Sequence, residues 1–202
     1  VDYALAPEHR FPVALRECEA VVTWTFARAG ELGVRTDAIS VGGDSAGGNL
    51  AAALTLLFRG TAQALKGQLL FYPVVEFNTG RPSFTENADG PIITAAGVPA
   101  TLALYCPNTA DRENPLFAPM LAEDHAGLPA AYIAIAEHDP LRDEGRAYAD
   151  RLRACGVPVE LDAGAGLIHG YLRAMPYCKA VRGSFARVCD WLGRLAVQPK
   201  AV

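Results

Sequence analysis

The sequence predicts an α/β fold with a mainly parallel sheet and helices on both faces. Short apolar runs rich in β-branched residues alternate with longer segments whose apolar residues recur every three or four positions. Such alternation implies right-handed β-α-β crossovers, which place neighbouring strands parallel. The 202 residues, 51% of them hydrophobic, are enough for one sizeable core. We find no repeat and no second domain boundary, so residues 1–202 are predicted to form a single domain.

The first part of the chain contains five predicted elements: a strand end at 1–3, a helix at 12–29, a strand at 38–41, a helix that ends at Gly60, and a strand at 67–72. The helix at 12–29 is indicated by an apolar stripe of Leu15, Cys18, Val22 and Phe26. The strand at 67–72 is an apolar run stopped by Pro73, which is typical of a strand buried on both faces.

The later part of the chain contains a helix near 94–106, a strand at 130–136, a helix stopped by Gly156, a strand at 157–161 and a last helix. The helix before Gly156 is predicted to turn Tyr148, Leu152 and Cys155 inward. The last helix has the most regular spacing, with apolar residues at Tyr177, Val181, Phe185, Val188, Leu192 and Leu195.

A G-x-S-x-G motif occupies 43–47, between the predicted strand at 38–41 and the helix that follows. With 19 glycines in the chain, the five residues alone are compatible with a chance match. The strand before and the helix after instead describe a nucleophile elbow, a sharp turn that lifts a serine hydroxyl above the carboxyl edge of a sheet. Ser45 is therefore the candidate nucleophile.

Two partners for Ser45 follow from the position of strand ends. Ligands of an open α/β sheet bind outside the carboxyl ends of its strands. Asp139 comes just after the strand at 130–136, and His169 lies in the glycine-rich loop after the next strand. The order Ser, Asp, His is the one that G-x-S-x-G hydrolases require. An imidazole would take the serine proton, and a carboxylate would hold the imidazole in the correct tautomer.

Other residues compete for these two roles. The remaining histidines are His9, His125 and His138, for which the sequence favours surface or structural positions. The rival acids are Glu137, Asp143, Glu144 and Asp162. Asp143 and Glu144 open a helix, where carboxylates stabilise the helix dipole for ordinary reasons.

An oxyanion hole needs two backbone or side-chain donors. The backbone N–H of Ala46, directly after the nucleophile, is the predicted first donor. The second often comes from an H-G-G-G loop, and that motif does not occur in this sequence.

The segment 77–128 is irregular and contains several prolines. A connection of this length inside one domain usually has a function, and we predict a cap or lid. A surface insertion without function is the open alternative.

Composition excludes several classes of function. The net charge of −4 favours neither nucleic acid nor an anionic membrane surface, and no apolar run is long enough to span a membrane. Five scattered cysteines without C-x-x-C spacing predict free thiols in a reducing compartment, hence a cytoplasmic location, and no metal site. The sequence favours no particular oligomeric state.

Four segments resemble the bacterial hormone-sensitive-lipase-like esterases (family IV) of the α/β-hydrolase fold: V-D-Y-A-L-A-P-E-H at 1–9, G-D-S-A-G-G-N-L at 43–50, D-P-L-R-D-E-G at 139–145 and I-H-G-Y at 168–171. The resemblance implies hydrolysis of a small-molecule carboxylic ester without a cofactor. It also implies a triad of Ser45, Asp139 and His169, with 77–128 as part of a helical cap over the acyl pocket.

Two departures from the family pattern lead to further expectations. Ala4 stands where the family usually has arginine, and the N-terminal cap segment, early strands and H-G-G-G loop are absent from these 202 residues. We therefore expect an N-terminally truncated α/β-hydrolase with weak or no activity. The same resemblance extends to the gibberellin receptors, so a module that binds a small molecule without catalysis is the alternative, and a non-functional product is a third.

Overall fold

A four-stranded parallel sheet lies at the centre of the computed structural model, which describes residues 1–197. Strands β1 (Val41–Asp44), β2 (Gly67–Phe71), β3 (Ala130–Ala134) and β4 (Val159–Asp162) pair in sequence order. Their last residues form one row, because Asp44 pairs with Phe71, Phe71 with Ala134, and Ala134 with Asp162. The segments that leave the sheet therefore start at the same level of its carboxyl edge.

Helices cover both faces of this sheet, as predicted. The seven α-helices within residues 1–197 are α1 (Val13–Ala27), α2 (Ala29–Leu32), α3 (Ala46–Phe58), α4 (Pro82–Glu86), α5 (Gly97–Tyr105), α6 (Arg142–Ala154) and α7 (Lys179–Val197). Leu70 and Ile133 pack in one buried cluster with residues of α3 and α6. Phe71 and Tyr132, which alternate with them along the strands, pack with residues of α7. None of these helices is long and apolar enough to cross a membrane.

The strands near the amino terminus differ from the prediction. Residues 1–3 form no strand, because β1 pairs only with β2 in the described part of the chain and a strand needs a neighbour for its hydrogen bonds. β1 occupies Val41–Asp44 rather than 38–41, since its pairing with β2 begins at Val41. Ile39 and Val41 of the apolar run are only partly buried, and the hydrogen-bonded ladder instead extends from Val41 over two glycines.

Helix boundaries are close to the prediction, with two exceptions. The predicted helix at 12–29 is divided into α1, which ends at Ala27, and the one-turn helix α2, which is followed by Gly33 with φ +65°. The five-residue helix α4 was not predicted, because one turn is too short to show a helical period.

The buried face of α7 is rotated relative to the prediction. Its buried residues are Val181, Ser184, Val188, Trp191 and Leu195. Tyr177 precedes the helix and is 88% exposed, and Phe185 and Leu192 are more than one third exposed. The Ser184 hydroxyl donates a hydrogen bond of 2.7 Å to Oδ2 of Asp162. This bond allows a polar residue to lie on the buried face of the helix.

Candidate active site

Ser45 lies at the tight turn between β1 and α3. Its backbone has φ 53° and ψ −115°, a conformation that L-residues rarely adopt. The turn requires glycine beside it, because a Cβ on Gly43 would lie 2.3 Å from the carbonyl group of Gly47. The Ser45 N–H donates to the carbonyl oxygen of Phe71 at 2.9 Å, which fixes the turn to the end of β2. This is the strand–turn–helix geometry of a nucleophile elbow.

The three predicted site residues lie in one hydrogen-bonded row. Oγ of Ser45 is 2.9 Å from Nε2 of His169, and Nδ1 of His169 is 2.7 Å from Oδ2 of Asp139. The Asp139 carboxylate accepts a hydrogen bond from Nδ1–H, so Nε2 of the neutral imidazole is unprotonated and accepts a hydrogen bond from the serine hydroxyl. Asp139 is fully buried and His169 is 7% exposed, which shields the contact between them from water, whereas the contact with Ser45 is only partly buried.

The buried carboxylate of Asp139 has a partner for each oxygen. Its Oδ1 accepts the N–H of Leu141 at 2.8 Å, and its Oδ2 contacts His169. Helix α4 contacts the segment directly after Asp139, because the Ser83 hydroxyl donates to the carbonyl oxygen of Pro140 at 2.6 Å. A buried charge requires such partners, and these fix the orientation of the carboxylate.

The loop that carries His169 is held against the segment that carries Asp139. The N–H of His138 donates to the carbonyl oxygen of Leu167 at 2.9 Å, and His138 and Ile168 form an isolated parallel bridge. Gly164 has φ +58°, and a Cβ there would lie 2.0 Å from the carbonyl oxygen of Ile135. Only glycine permits so close an approach, which places the two loops side by side.

An apolar cavity of about 330 Å³ opens beside Ser45. Ala46 lies in its wall and is the first residue of α3, so its N–H is one of the amides that a helix leaves without an intrahelical partner. The segment 77–128 contributes six residues to the cavity: Phe77, Ile93, Val98, Thr101, Leu102 and Tyr105. One wall of the cavity therefore comes from the predicted cap, and its surface suits an apolar ligand.

The competing histidines lie away from this row. His9 and His138 are exposed. His125 is fully buried, with Nε2 2.9 Å from the carbonyl oxygen of Pro119 and Nδ1 3.4 Å from Nε of Arg151. Its contacts are those of a structural histidine in the segment 77–128.

Glu144 has a structural role that the sequence did not predict. Its Oε1 accepts three successive backbone N–H groups, from Val75, Glu76 and Phe77. The side chain is fully buried, and burial raises its pKa against the opposing effect of these hydrogen bonds. Glu144 thus fixes the segment that follows β2 and holds Phe77 at the cavity. Its three partners lie 67 to 69 residues away in the sequence, so the local sequence does not indicate this role.

Tyr72, which follows β2, is a second residue near the site that the sequence did not predict. Its ring centroid lies 4.8 Å from that of His169, at an interplanar angle of 56°. Its hydroxyl donates to Oδ2 of Asp44 at 3.2 Å. Burial and, to a smaller extent, the nearby Asp44 carboxylate raise the pKa of this hydroxyl, so it stays protonated. The one local signal was its place at a strand end, directly before Pro73.

Within residues 1–197, no three His, Cys, Asp or Glu side chains are grouped so that they could hold a metal ion. All five cysteines are free thiols.

Fold and site together define a protein of the α/β-hydrolase class. A family model described as the alpha/beta hydrolase fold matches residues 1–173, and the chain belongs to this family. Its relatives and structural neighbours place it with the hormone-sensitive-lipase-like (family IV) esterases, which confirms the resemblance seen in the sequence.

The chain is 44% identical to carboxylesterase NlhH of Mycobacterium tuberculosis over 176 residues, which cover 85% of this chain and 55% of that protein. It is 40% identical to an arylesterase of Saccharolobus solfataricus over 173 residues, 85% of this chain and 56% of that one. Among solved structures it resembles EstE1, a thermostable carboxylesterase from a metagenomic library, with a TM-score of 0.91 and 37% identity over 98% of this chain and 65% of that one. The chain thus spans little more than half the length of these curated relatives.

Proposed function

We propose that this chain carries the catalytic triad of a carboxylesterase that hydrolyses small acyl esters. The observation that supports the proposal most is the row from Ser45 Oγ through both nitrogens of His169 to Asp139 Oδ2, with contacts of 2.9 and 2.7 Å. The row ends at an apolar cavity large enough for an acyl chain. The relatives named as esterases agree with this assignment.

The proposed reaction has two steps. Oγ of Ser45 attacks the ester carbonyl carbon while Nε2 of His169 takes its proton, and the same proton then leaves with the alcohol as the C–O bond breaks. Water next attacks the acyl-serine, gives a proton to His169, and releases the carboxylic acid as the proton returns to Ser45. Asp139 holds the imidazole and stabilises its charged form in both steps.

The N–H of Ala46 is the oxyanion donor that we assign. It lies at the start of α3, where the partial positive charge of a helix amino terminus also favours a developing anion. Loss of one oxyanion donor typically lowers turnover about 10²–10³-fold. Because the sequence contains no H-G-G-G segment, we expect weak turnover from these 202 residues.

We further propose that 77–128 acts as a cap whose helix α5 forms the wall of the acyl pocket. Val98 and Leu102 of α5 are buried and line the cavity, in agreement with this role.

A fluorophosphonate that reacts with activated serines tests the proposal without depending on turnover. The 202-residue chain should be labelled at Ser45, as located by peptide mass spectrometry, and should hydrolyse p-nitrophenyl butyrate slowly. Ser45→Ala should lose both, whereas Ser40→Ala is the matched control outside the row. Labelling at another residue, or hydrolysis that survives Ser45→Ala, would overturn the assignment. A module that only binds a small molecule would not be labelled.

A further inference from the structure

Three residues other than glycine have positive φ within residues 1–197: Ser45 (53°), Tyr72 (34°) and Phe77 (63°). Such a backbone conformation is strained and persists only where the surroundings fix it. Ser45 and Phe77 both line the cavity. Tyr72 does not line it, so its strained backbone has to be explained by a different contact.

The contacts of Tyr72 join the two sides of the triad. Its ring packs against His169 on one side and lies 5.0 Å, edge-on, from the ring of Tyr171 on another. Its hydroxyl reaches Asp44, the residue directly before Ser45. Its own N–H donates to the carbonyl oxygen of Ala134, which extends the β2–β3 pairing by one residue. Tyr72 is 2% exposed and contacts both the imidazole and the residue before Ser45.

Asp139 alone does not fix the imidazole completely. The hydrogen bond at Nδ1 defines one direction in the plane of the ring, while rotation about that direction moves Nε2 away from Ser45. The buried ring of Tyr72, tilted at 56° to the imidazole with the two centroids 4.8 Å apart, restricts this rotation. Contacts of this kind, beyond the direct hydrogen bond, help to orient a functional side chain.

We propose that Tyr72 is a positioning residue for His169, with its hydroxyl tied to Asp44 so that the imidazole and the turn of Ser45 keep one fixed geometry. This inference rests on the proposed triad. Tyr72 lies outside the cavity lining, so it acts on the geometry of proton transfer and not on binding of the ester.

Two variants separate the ring from its hydroxyl. Tyr72→Phe keeps the ring and loses the bond to Asp44, and we expect labelling of Ser45 to slow about threefold to tenfold, the value of one hydrogen bond. Tyr72→Leu removes the ring, and a misplaced base should slow labelling about 10²-fold. KM for p-nitrophenyl butyrate should stay within about twofold in both, since no ester contact is lost. Tyr148→Phe is the matched control, because Tyr148 is equally buried and lies outside the row.

A double-mutant cycle and a proton spectrum distinguish positioning from loss of stability. Asp44→Ala should slow labelling no more than Tyr72→Phe does, because the Tyr72 hydroxyl also has a hydrogen bond with the backbone of Leu172. The double variant should be little slower than Tyr72→Phe alone, because Tyr72→Phe already removes the contact with Asp44. The downfield proton resonance of His169 Nδ1–H should shift in Tyr72→Leu and stay in place in Tyr148→Phe. If Tyr72→Leu does not fold, Tyr72→Phe and the cycle decide the question.

The outcomes for the two proposals are separate. Labelling in both Tyr72 variants at the wild-type rate, or an equal loss in Tyr148→Phe, would overturn the role of Tyr72 while the triad stands. Wild-type protein that is not labelled at Ser45 would instead overturn the proposed function. In that case the Nδ1–H resonance still shows whether Tyr72 fixes the ring.

Discussion

The side-chain amide of Asn49 donates a hydrogen bond of 2.8 Å to the carbonyl oxygen of Phe117, 68 residues further along the chain. The same amide donates to the carbonyl oxygen of Val74 at 3.0 Å. One buried side chain on α3, one turn after Ser45, thus connects the elbow to the segment after β2 and to the segment 77–128. These contacts hold both segments against the helix that follows the elbow.

Asn49→Leu should lower the free energy of unfolding by about 2–4 kcal/mol, because two buried carbonyl oxygens lose their donors. Urea unfolding followed by circular dichroism measures this change. Asn78→Ala is the control, since Asn78 is exposed and bonds only within its own turn. A loss no larger than in the control would mean that the two carbonyls find other donors.

Asp139→Asn should leave the fold intact and slow the labelling of Ser45 by about 10³–10⁴-fold. The amide oxygen is held by the N–H of Leu141, so the amide nitrogen faces Nδ1 and donates to it, which selects the wrong tautomer of the imidazole. A neutral amide also cannot stabilise a charged imidazole as the carboxylate does. Labelling kinetics with the fluorophosphonate give the rate, and the melting temperature reports the fold. Asp150→Asn is the control, because Asp150 lies on the outer side of α6 in a surface ion pair with Arg153. A loss below about tenfold would contradict the role of Asp139.

The chain should lose stability as the pH falls below about 6.5, and His125 should cause part of this loss. Burial lowers the pKa of His125 from its ordinary value of 6.5, and Arg151 and Arg59 lower it further against the effects of the Pro119 carbonyl and Asp124. The unfolded chain therefore binds a proton that the folded chain excludes. The stability from this residue is present above the unfolded pKa and is lost as the pH falls through it towards the lower, folded value.

Melting temperatures of His125→Gln between pH 8 and pH 5 test this dependence. The glutamine amide can still donate to the carbonyl oxygen of Pro119, so we expect a flatter profile than that of the wild type. His138→Gln is the control, because the His138 side chain is 59% exposed. Parallel profiles for the wild type and His125→Gln would show that another group sets the acid sensitivity.

The sequence could predict the elements and residues that local pattern defines. The elbow has a fixed order of strand, motif and helix, and Asp139 and His169 each follow a strand of one parallel sheet, so their approach to Ser45 followed from topology. Tyr72, Asn49 and Glu144 could not be found this way, because their partners lie 25 to 97 residues away and neither spacing nor periodicity encodes them. The buried face of α7 was misplaced for a related reason, since the partner of Ser184 is on β4.

Tyr148→Phe should raise the melting temperature slightly. The Tyr148 hydroxyl is fully buried and has no hydrogen-bond partner within residues 1–197. Removal of an unsatisfied buried hydroxyl should therefore stabilise the fold by about 1 kcal/mol. Calorimetry measures the change, with Tyr171→Phe as the opposite case, because the Tyr171 hydroxyl contacts Ser184 at 3.3 Å. A loss of stability in Tyr148→Phe as large as that in Tyr171→Phe would show that the Tyr148 hydroxyl has a hydrogen-bond partner.

Leu102→Trp should shift the preference of the proposed esterase toward short acyl chains. Leu102 projects from α5 into the cavity beside Val98 and is 8% exposed, so a larger side chain there occupies space that an acyl chain would fill. One or two methylene groups in such a pocket are worth about tenfold in selectivity. We therefore expect the ratio of kcat/KM for p-nitrophenyl hexanoate to that for the acetate to fall about tenfold, with kcat/KM for the acetate little changed. Leu104→Trp is the control, because Leu104 is on the same helix but 52% exposed. Equal losses for both esters would mean that the acyl chain lies elsewhere.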